Sequence, residues 1–338
     1  MPRLRRSDCA APGIRRRGRG RGFEYLDPDG ERIDDPETLE RVAELAIPPA
    51  WRDVWICLDP LGHLQATGID DAGRKQYRYH DQWRARRDRE KFGSMVEFGH
   101  ALPKLRRRVR RDLRRDALDR ARVLACATRL LDLGFFRIGS EDYAVTNESY
   151  GLATMLRRHV TLDEDEVVFD YPAKSGQRRV QAITDEDVRA VVAALKRRRG
   201  GGPELLAFKE GRRWADVRSD DINAYVKSAT SHDFSAKDFR TWNATVLAAV
   251  ALAAGEGQPR SKTAYKRAAA AAVRTVAGYL GNTPVVARGS YIDPRVFDRF
   301  RSGWTITEAV REVGEPDLGD PRKRARIEAA VLELLEGE

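Results

Sequence analysis

One tyrosine in the C-terminal third of the chain lies in a setting suited to chemistry. The segment "LGNTPVVARGSYIDP" runs from Leu280 to Pro294, and its Gly-Asn turn signal is followed, nine residues after Asn282, by Tyr291. A phenolic oxygen can attack phosphorus and can later leave again, so tyrosine suits a reversible reaction at a phosphodiester. The same residue could instead pack at an interface with its hydroxyl hydrogen-bonded.

A reaction of this kind has two further requirements. Cations must neutralise the charge that gathers on the non-bridging phosphate oxygens, and an acid must protonate the departing sugar alkoxide. Arginine suits the first role because its planar fork grips two oxygens and keeps its charge. Lysine suits the second role because its ammonium gives up a proton once its pKa is lowered.

The chain offers four candidates for these roles. They are Arg137 in "LGFFRIG", Lys174 in "DYPAKSGQ", Arg240 in "SAKDFRTW" and Asn282 after Gly281. Each also has a structural interpretation: an arginine extended along an apolar wall, a solvated lysine at a hairpin tip, or a residue that caps a helix. For Arg240 a bound anion is the better explanation, because a cation near a helix N-terminus opposes the helix dipole.

The elements that must position these residues predict an α+β fold. Residues 22–82 alternate in hydrophobicity and contain repeated turn signals, which predicts a small β-rich N-terminal domain. Residues 83–338 are predicted to form a larger, mainly helical domain. A small inserted β-sheet is predicted from "RRHVTL", "VVFDY" and "RRVQAI", and helices are predicted over 236–254 and 261–280.

The charge of the chain favours a polyphosphate partner. Its 62 Lys and Arg residues outnumber 52 Asp and Glu residues, for a net charge of +10. Eight of the arginines lie in residues 1–22; we predict that residues 1–21 form a basic, disordered tail. A solvated surface charge is the alternative.

Without metal-ligand spacing or an intact phosphate loop, no metal, ATP or other cofactor is predicted. Three dispersed cysteines and a basic start without an apolar run predict a cytoplasmic protein, with no membrane partner.

Taken together and in order, these segments resemble a known enzyme family. The segments "GRKQYRYH", "FRIGSEDYAVTNESYGLATM", "PAKSGQ", "KDFRTW" and "LGNTP…SYIDP" are similar to those of type IB DNA topoisomerases of the compact, poxvirus-like kind found also in bacteria. The likeness runs from about Gly22 to beyond Tyr291. It implies that residues 22–82 form a DNA-binding domain and that residues 83–338 form the catalytic domain. It also implies a monomer clamped around supercoiled duplex DNA in the nucleoid.

The resemblance also implies roles for the candidate residues. Tyr291 would form a 3′-phosphotyrosyl link, Arg137 and Arg240 would bind the scissile phosphate, and Lys174 would protonate the leaving 5′ oxygen. Rotation of the freed end would then relax supercoils of either sign without ATP. Asn282 would donate a hydrogen bond to a non-bridging oxygen. Many relatives carry histidine there, and an amide cannot replace its positive charge.

Contacts with DNA are implied in the same way. In "GRKQYRYH" the pleat of a strand places Tyr77 and Tyr79 on one face and Gln76 on the other. The tyrosines could form the buried face of a sheet, but the resemblance implies that Gln76, Tyr77 and Tyr79 contact the major groove. It also implies DNA contacts for Tyr143 and for Lys237.

Two alternatives compete with this interpretation. A tyrosine recombinase uses the same nucleophile, arginine pair and lysine, but usually has a histidine where this chain has Lys237. A non-catalytic DNA-binding protein would fit the charge, yet it would leave the ordered set of catalytic residue types unexplained.

Overall fold

A computed structural model describes residues 3–139, 141, 144, 148–255, 261–314 and 319–337. The chain divides into two compact units, Met1–Lys91 and Phe92–Glu338. The division falls after Lys91, beyond the predicted domain boundary at residue 82. The α+β class is confirmed: the first unit is built on a β-sheet, and the second is mainly helical with small sheets.

The first unit contains a five-stranded antiparallel sheet. Its strands are β1 (Ile14–Arg19), β2 (Gly22–Leu26), β3 (Arg52–Ile56), β4 (Leu64–Ile69) and β5 (Lys75–Tyr79), in the spatial order β2-β1-β3-β4-β5. Helix α1 (Pro36–Glu44) begins at Asp35, whose carboxylate accepts a hydrogen bond from the Thr38 amide. Burial of Val42 from this helix against Ile14 and Ile56 forms the core of the unit.

The prediction of a disordered tail is wrong for residues 14–19. They form strand β1, which pairs with β2 from Arg15↔Leu26 to Arg19↔Gly22 and with β3 at Ile14↔Ile56. The arginine content concealed the strand, in which Ile14 is buried, Arg16 is half-buried, and Arg15, Arg17 and Arg19 are exposed. A basic strand is stable here because one side chain in the run fills the core and partners on both sides satisfy its backbone.

The second unit surrounds one large hydrophobic core. Its helices begin with α2 (Asp81–Leu113), which starts in the first unit, and continue with α3 (Arg120–Leu133), α4 (Glu186–Arg197), α5 (Ser219–Thr230), α6 (Ala236–Ala253), α7 (Lys262–Leu280), α8 (Pro284–Ser290), α9 (Pro294–Arg301), α10 (Thr307–Val313) and α11 (Pro321–Glu336). The predicted inserted sheet is present as β6 (Val160–Leu162), β7 (Val167–Pro172) and β8 (Arg178–Ile183). A two-stranded hairpin, β9 (Ala207–Glu210) and β10 (Arg213–Asp216), was not predicted.

No helix among the described residues is long and apolar enough to cross a membrane.

Candidate active site

The C-terminal end of helix α7 fixes the backbone around Asn282. Gly281 adopts the left-handed conformation with φ 61°. Its amide donates to the Gly278 carbonyl at 3.2 Å, while the Asn282 amide reaches back to the Ala277 carbonyl at 3.1 Å. This pair of bonds is the Schellman motif, which ends a helix and turns the chain sharply. The turn therefore sets where the Asn282 side chain begins.

Helix α8 carries the chain from Asn282 to Tyr291. Thr283 caps it by accepting a hydrogen bond from the Val286 amide, Pro284 occupies its first turn, and Tyr291 is its C-cap residue. Asp293 then caps α9 and is fully buried. Tyr291 thus ends α8 and lies two residues before the cap of α9, so the half-buried nucleophile candidate sits between two fixed helix ends.

Arg240 lies in the second turn of α6 and is only 4% exposed. Its guanidinium donates to the Leu280 carbonyl at 3.0 Å and to the Phe135 carbonyl. The group also hydrogen-bonds with the side chain of Tyr291 and lies over that ring, 5.1 Å from its centroid. Its buried Nε has no hydrogen-bond acceptor among the described residues. A buried charged donor without an acceptor is costly, so this atom favours a bound anion.

The buried side chain of Phe136 fixes the backbone just before Arg137. Phe136 is fully buried and makes an edge-to-face contact with Phe169 of the inserted sheet. The Arg137 Nη2 donates to the Gly281 carbonyl at 3.2 Å and to the Asn282 Oδ1. Since a guanidinium only donates, the amide oxygen of Asn282 must face Arg137. The Asn282 Nδ2 is left as a buried donor with no acceptor among the described residues.

Lys174 lies on a short 3-10 turn, Lys174–Gly176, between β7 and β8. The Ala173 amide donates to the Gln177 carbonyl at 2.8 Å and closes this hairpin. Lys174 is exposed, as expected for a hairpin tip. The lysine is therefore delivered by a sheet, whereas the two arginines and the tyrosine come from the helical part of the unit.

These residues meet at one open cavity of about 370 Å³, which we call the cationic cleft. Its lining includes Arg137, Lys174, Lys237, Arg240 and Tyr291. Asn282 is held at the same place through its bond to Arg137. Among the described residues, the lining of the cleft contains four cations and no carboxylate. Such a cleft attracts phosphate through both its charge and its buried donors.

The cations of the cleft make Tyr291 easier to ionise. Burial by itself would raise the pKa of Tyr291, but the nearby Arg240, Arg137 and Lys237 outweigh it and place the pKa below the usual 10.0. For Arg240 burial is the main cause and lowers the pKa to about 10, so the guanidinium keeps its charge at neutral pH. A phenolate and a buried guanidinium stabilise each other in this arrangement.

Comparison with known proteins decides the family. The model of the catalytic core of eukaryotic DNA topoisomerase I matches residues 80–305, and the model of the N-terminal domain of bacterial DNA topoisomerase IB matches residues 22–70. The chain belongs to the type IB DNA topoisomerase family. It is an isomerase whose substrate is DNA, and the resemblance read from its sequence is confirmed.

Viral relatives extend this likeness along most of the chain. DNA topoisomerase 1B of Acanthamoeba polyphaga mimivirus is 30% identical over 285 residues, which cover 83% of this chain and 85% of the relative. DNA topoisomerase 1B of vaccinia virus, strain Copenhagen, is 20% identical over 269 residues, covering 78% and 82%. DNA topoisomerase I of monkeypox virus matches over the same shares at 20% identity.

The predicted DNA contacts of this topoisomerase lie in both units. On strand β5 of the first unit, Tyr77 is 48% exposed and Tyr79 is 36% exposed, and their rings stack 6.1 Å apart. The alternative in which both tyrosines form a buried sheet face is therefore wrong. Gln76 belongs to the opposite pleat, and its amide nitrogen donates to Asp70 at 2.8 Å. Lys237 lines the cationic cleft, whereas Tyr143 lies outside the described residues.

The sequence did not predict the structural roles of two residues of this topoisomerase. Thr245 of α6 is fully buried, and its hydroxyl accepts a hydrogen bond from the Asp293 amide at 3.1 Å, which ties α6 to the turn after Tyr291. Arg179 of β8 donates to the carbonyls of Gly278 at 3.2 Å and Tyr279 at 2.7 Å. A buried threonine in an apolar helix and one arginine in a basic strand carry no sequence signal for such roles.

Proposed function

We propose that Tyr291 is the nucleophile that breaks and rejoins one strand of duplex DNA. Its phenolic oxygen forms a bond to phosphorus while the bond from phosphorus to the 5′ oxygen breaks. The products are a 3′-phosphotyrosyl link and a 5′-hydroxyl. The observation that carries this proposal is the placement of Tyr291 beside Arg240 in the cationic cleft, where its pKa is lowered.

The other cleft residues supply charge and protons. Arg240, through its unpartnered Nε, and Arg137 hold the two non-bridging oxygens, where negative charge gathers as the bond forms. The Nδ2 of Asn282 donates a further hydrogen bond to one of them. Lys174 gives a proton from Nζ to the departing 5′ oxygen, and in the reverse step it takes that proton back.

The consequence is a change in DNA topology without an energy source. While the strand is open, the free 5′ end rotates and supercoils of either sign relax. The 5′-hydroxyl then attacks phosphorus and releases the phenolate, so the strand is rejoined without ATP or metal.

We propose that one chain clamps around supercoiled DNA as a monomer, in the cytoplasm, at the nucleoid. Gln76, Tyr77, Tyr79, Tyr143 and Lys237 are the proposed DNA contacts outside the reaction itself.

Plasmid relaxation with EDTA and without ATP tests this proposal. The wild-type protein should relax negatively and positively supercoiled plasmid, and Tyr291→Phe should bind the plasmid without relaxing it. Tyr279→Phe is the matched control, because it removes a hydroxyl from a side chain that is 55% exposed, one helix away. That variant should relax plasmid like the wild type.

Two other outcomes would contradict the proposal. Relaxation by Tyr291→Phe would assign the nucleophile to another residue. Covalent capture of a cleaved strand by the wild type, without relaxation of plasmid, would favour the recombinase alternative.

A further inference from the structure

The register of the N-terminal sheet brings β1 and β5 onto a common face. Direct cross-strand partners point to the same side of a sheet. The pairs Arg15↔Trp55, Trp55↔Thr67 and Thr67↔Tyr77 join β1 to β5 across β3 and β4. By the alternation along β1, Arg17 and Arg19 share the face of Arg15. Three arginines therefore lie on the same sheet face as Tyr77.

The opposite face of this sheet is already occupied. Ile14, Ile56 and Ala66 lie in one row across the strands and form the core of the unit with Val42 of α1. Arg16 points to this side, where it donates to the carbonyls of Pro48 and Trp51 and to others in the same loop. Arg16 thus holds the fold together, whereas its three neighbours on the other side face solvent.

The segment before β1 crosses the solvent-facing side. Ser7 bonds to His63 through its amide at 3.0 Å, and the Trp55 indole donates to the Ala11 carbonyl at 2.9 Å. The ammonium of Lys75 on β5 lies 3.4 Å from the sulfur of Cys9. This segment therefore connects the arginines of β1 to the start of the strand that carries Tyr77 and Tyr79.

The charge of this face is positive even after its acids are counted. Glu24 pairs with Arg17 at 2.6 Å and more loosely with Arg19 at 3.4 Å. Asp8 is exposed in the crossing segment and accepts a hydrogen bond from the Ala10 amide. Arg15 is exposed, and its side chain has no ion pair or hydrogen bond with another described residue. A cation without a partner is the feature expected of a phosphate contact.

We propose that Arg15, Arg17 and Arg19 of strand β1 bind the phosphate backbone of the DNA whose groove Tyr77 and Tyr79 contact. We call these three residues the β1 arginine strip. Neighbouring strands lie about 4.8 Å apart, so three steps from β5 to β1 span roughly 14 Å. The major groove is about 12 Å wide, so side chains at that distance reach the phosphates along its edge. This inference rests on the proposed groove contacts of the tyrosines.

The test compares two variants that lose the same charge. Arg15→Gln/Arg19→Gln removes two cations from the β1 arginine strip and leaves the closer Arg17–Glu24 pair in place. Arg212→Gln/Arg213→Gln removes two exposed cations from the hairpin between β9 and β10, in the second unit. For each full-length protein, the equilibrium affinity for a duplex is measured between 0.05 M and 0.2 M salt.

The salt slope is the slope of log affinity against log salt concentration. For Arg15→Gln/Arg19→Gln it should be less steep by about 1.8, since each phosphate contact contributes about 0.9. Its affinity should then fall about tenfold less than that of the wild type over this salt range. The hairpin variant should keep the wild-type slope. Equal slopes for the wild type and the strip variant, or equal changes in both variants, would overturn the proposal.

A charge-conserving variant guards against misfolding. Arg15→Lys/Arg19→Lys should restore the wild-type slope, whereas a loss that persists in this variant would overturn phosphate binding in favour of a folding role. Relaxation by the wild-type protein is measured in parallel. If the wild type relaxes plasmid while the strip variant keeps its full salt slope, phosphate binding by the β1 arginine strip is refuted and the proposed function stands.

Discussion

At the scale of single residues, Asn282 is held at one end and unpartnered at the other. Its Oδ1 accepts from Arg137, and its Nδ2 is a buried donor without an acceptor among the described residues. The side chain therefore orients Arg137, and in the proposed reaction it donates one hydrogen bond to a phosphate oxygen. A histidine at this position would add a positive charge, which an amide cannot supply.

Substitution of Asn282 should separate these two contributions. Asn282→Ala removes both, and we expect single-turnover cleavage to slow about 10²-fold, as for the loss of one oxyanion donor. Asn282→Asp keeps an acceptor for Arg137 but places a negative charge where phosphate must bind, so cleavage should be slower still. Cleavage by Asn282→Asp at or above the rate of Asn282→Ala would show that orienting Arg137 is the main contribution.

The ionisation of Tyr291 gives a second prediction at this scale. The difference in phenolate absorbance between the wild type and Tyr291→Phe, followed against pH, reports this one tyrosine. Because Arg240 and Arg137 outweigh burial, the midpoint should lie below 10.0, and the ionised fraction grows as pH rises through it. Arg137→Gln should raise the midpoint.

Bound duplex provides the check on this titration. Phosphate in the cationic cleft offsets the guanidinium charges, so it should raise the midpoint of the wild type as well. A midpoint at or above 10.0 in the protein without DNA would mean that burial outweighs the cations.

At the scale of elements, the end of helix α7 organises the proposed reaction centre. Its last carbonyls accept from two arginines: Gly278 and Tyr279 from Arg179, and Leu280 from Arg240. Arg137 binds the next carbonyl, at Gly281. The negative end of a helix dipole thus gathers three guanidinium groups at the place where phosphate is proposed to bind.

Two glycines of this helix end allow a matched test. Gly281 has φ +61°, and a Cβ there would lie 2.7 Å from the Arg179 Nη1. Gly281→Ala should lower the free energy of unfolding by about 1–2 kcal/mol and slow cleavage, because the turn and the arginine must both shift. A Cβ at Gly278 meets nothing within 4 Å. Gly278→Ala should therefore be neutral or stabilising by about 0.5–1 kcal/mol, without loss of cleavage.

Urea unfolding and single-turnover cleavage of both variants measure the two effects. If Gly281→Ala behaves like Gly278→Ala in both assays, the left-handed turn does not control the position of Asn282.

The sequence predicted the long helices next to the candidate site better than the short element that links Asn282 to Tyr291. Residues 236–254 and 261–280 were predicted as helices and closely match α6 and α7, because their apolar periodicity is strong. Helix α8 was not predicted, since its seven residues contain two valines and three small residues and are too short for periodicity to show. Thr283 before Pro284 was the available signal for its start.

Contacts between distant segments could not be predicted from local patterns. Arg240 was expected at a helix N-terminus facing an anion, yet its partners include the Phe135 and Leu280 carbonyls, from elements far away in the chain. Strand β1 was not predicted, for a related reason. Its stability depends on pairing with β2 and β3, and composition alone does not contain that information.

At the scale of the whole second unit, a buried ion network joins helices that are far apart in the sequence. Asp132 at the end of α3 pairs with Arg106 of α2 and with Arg324 of α11, both at 2.8 Å. Glu328 of α11 pairs with the same two arginines. The Asn243 amide of α6 donates to the Asp132 carbonyl at 3.0 Å. This network fixes α3, which leads to Arg137, against α6, which carries Arg240.

Neutralising Asp132 should therefore cost stability in a pH-dependent way. Burial by itself would raise the pKa of Asp132, but Arg324 and Arg106 outweigh it and hold the pKa well below its usual range. Asp132→Asn leaves the buried guanidinium groups of Arg106 and Arg324 to share one carboxylate, that of Glu328, and we expect a loss of about 3–5 kcal/mol at pH 7. A lowered carboxyl pKa stabilises the fold fully above the unfolded value, near 3.9, and this contribution is lost as pH falls further. The difference between the wild type and Asp132→Asn should therefore shrink at pH 3.

Urea unfolding of the full chain at pH 7 and pH 3, followed by tryptophan fluorescence, measures both expectations. Glu312→Gln is the matched control, because it removes one carboxylate from an exposed pair with Arg326 and should leave the unfolding midpoint unchanged. Cleavage by Asp132→Asn should fall even under conditions where the variant is folded, because α3 and α6 lose a common anchor. Full cleavage by a folded Asp132→Asn protein would show that the network stabilises the unit without setting the distance between Arg137 and Arg240.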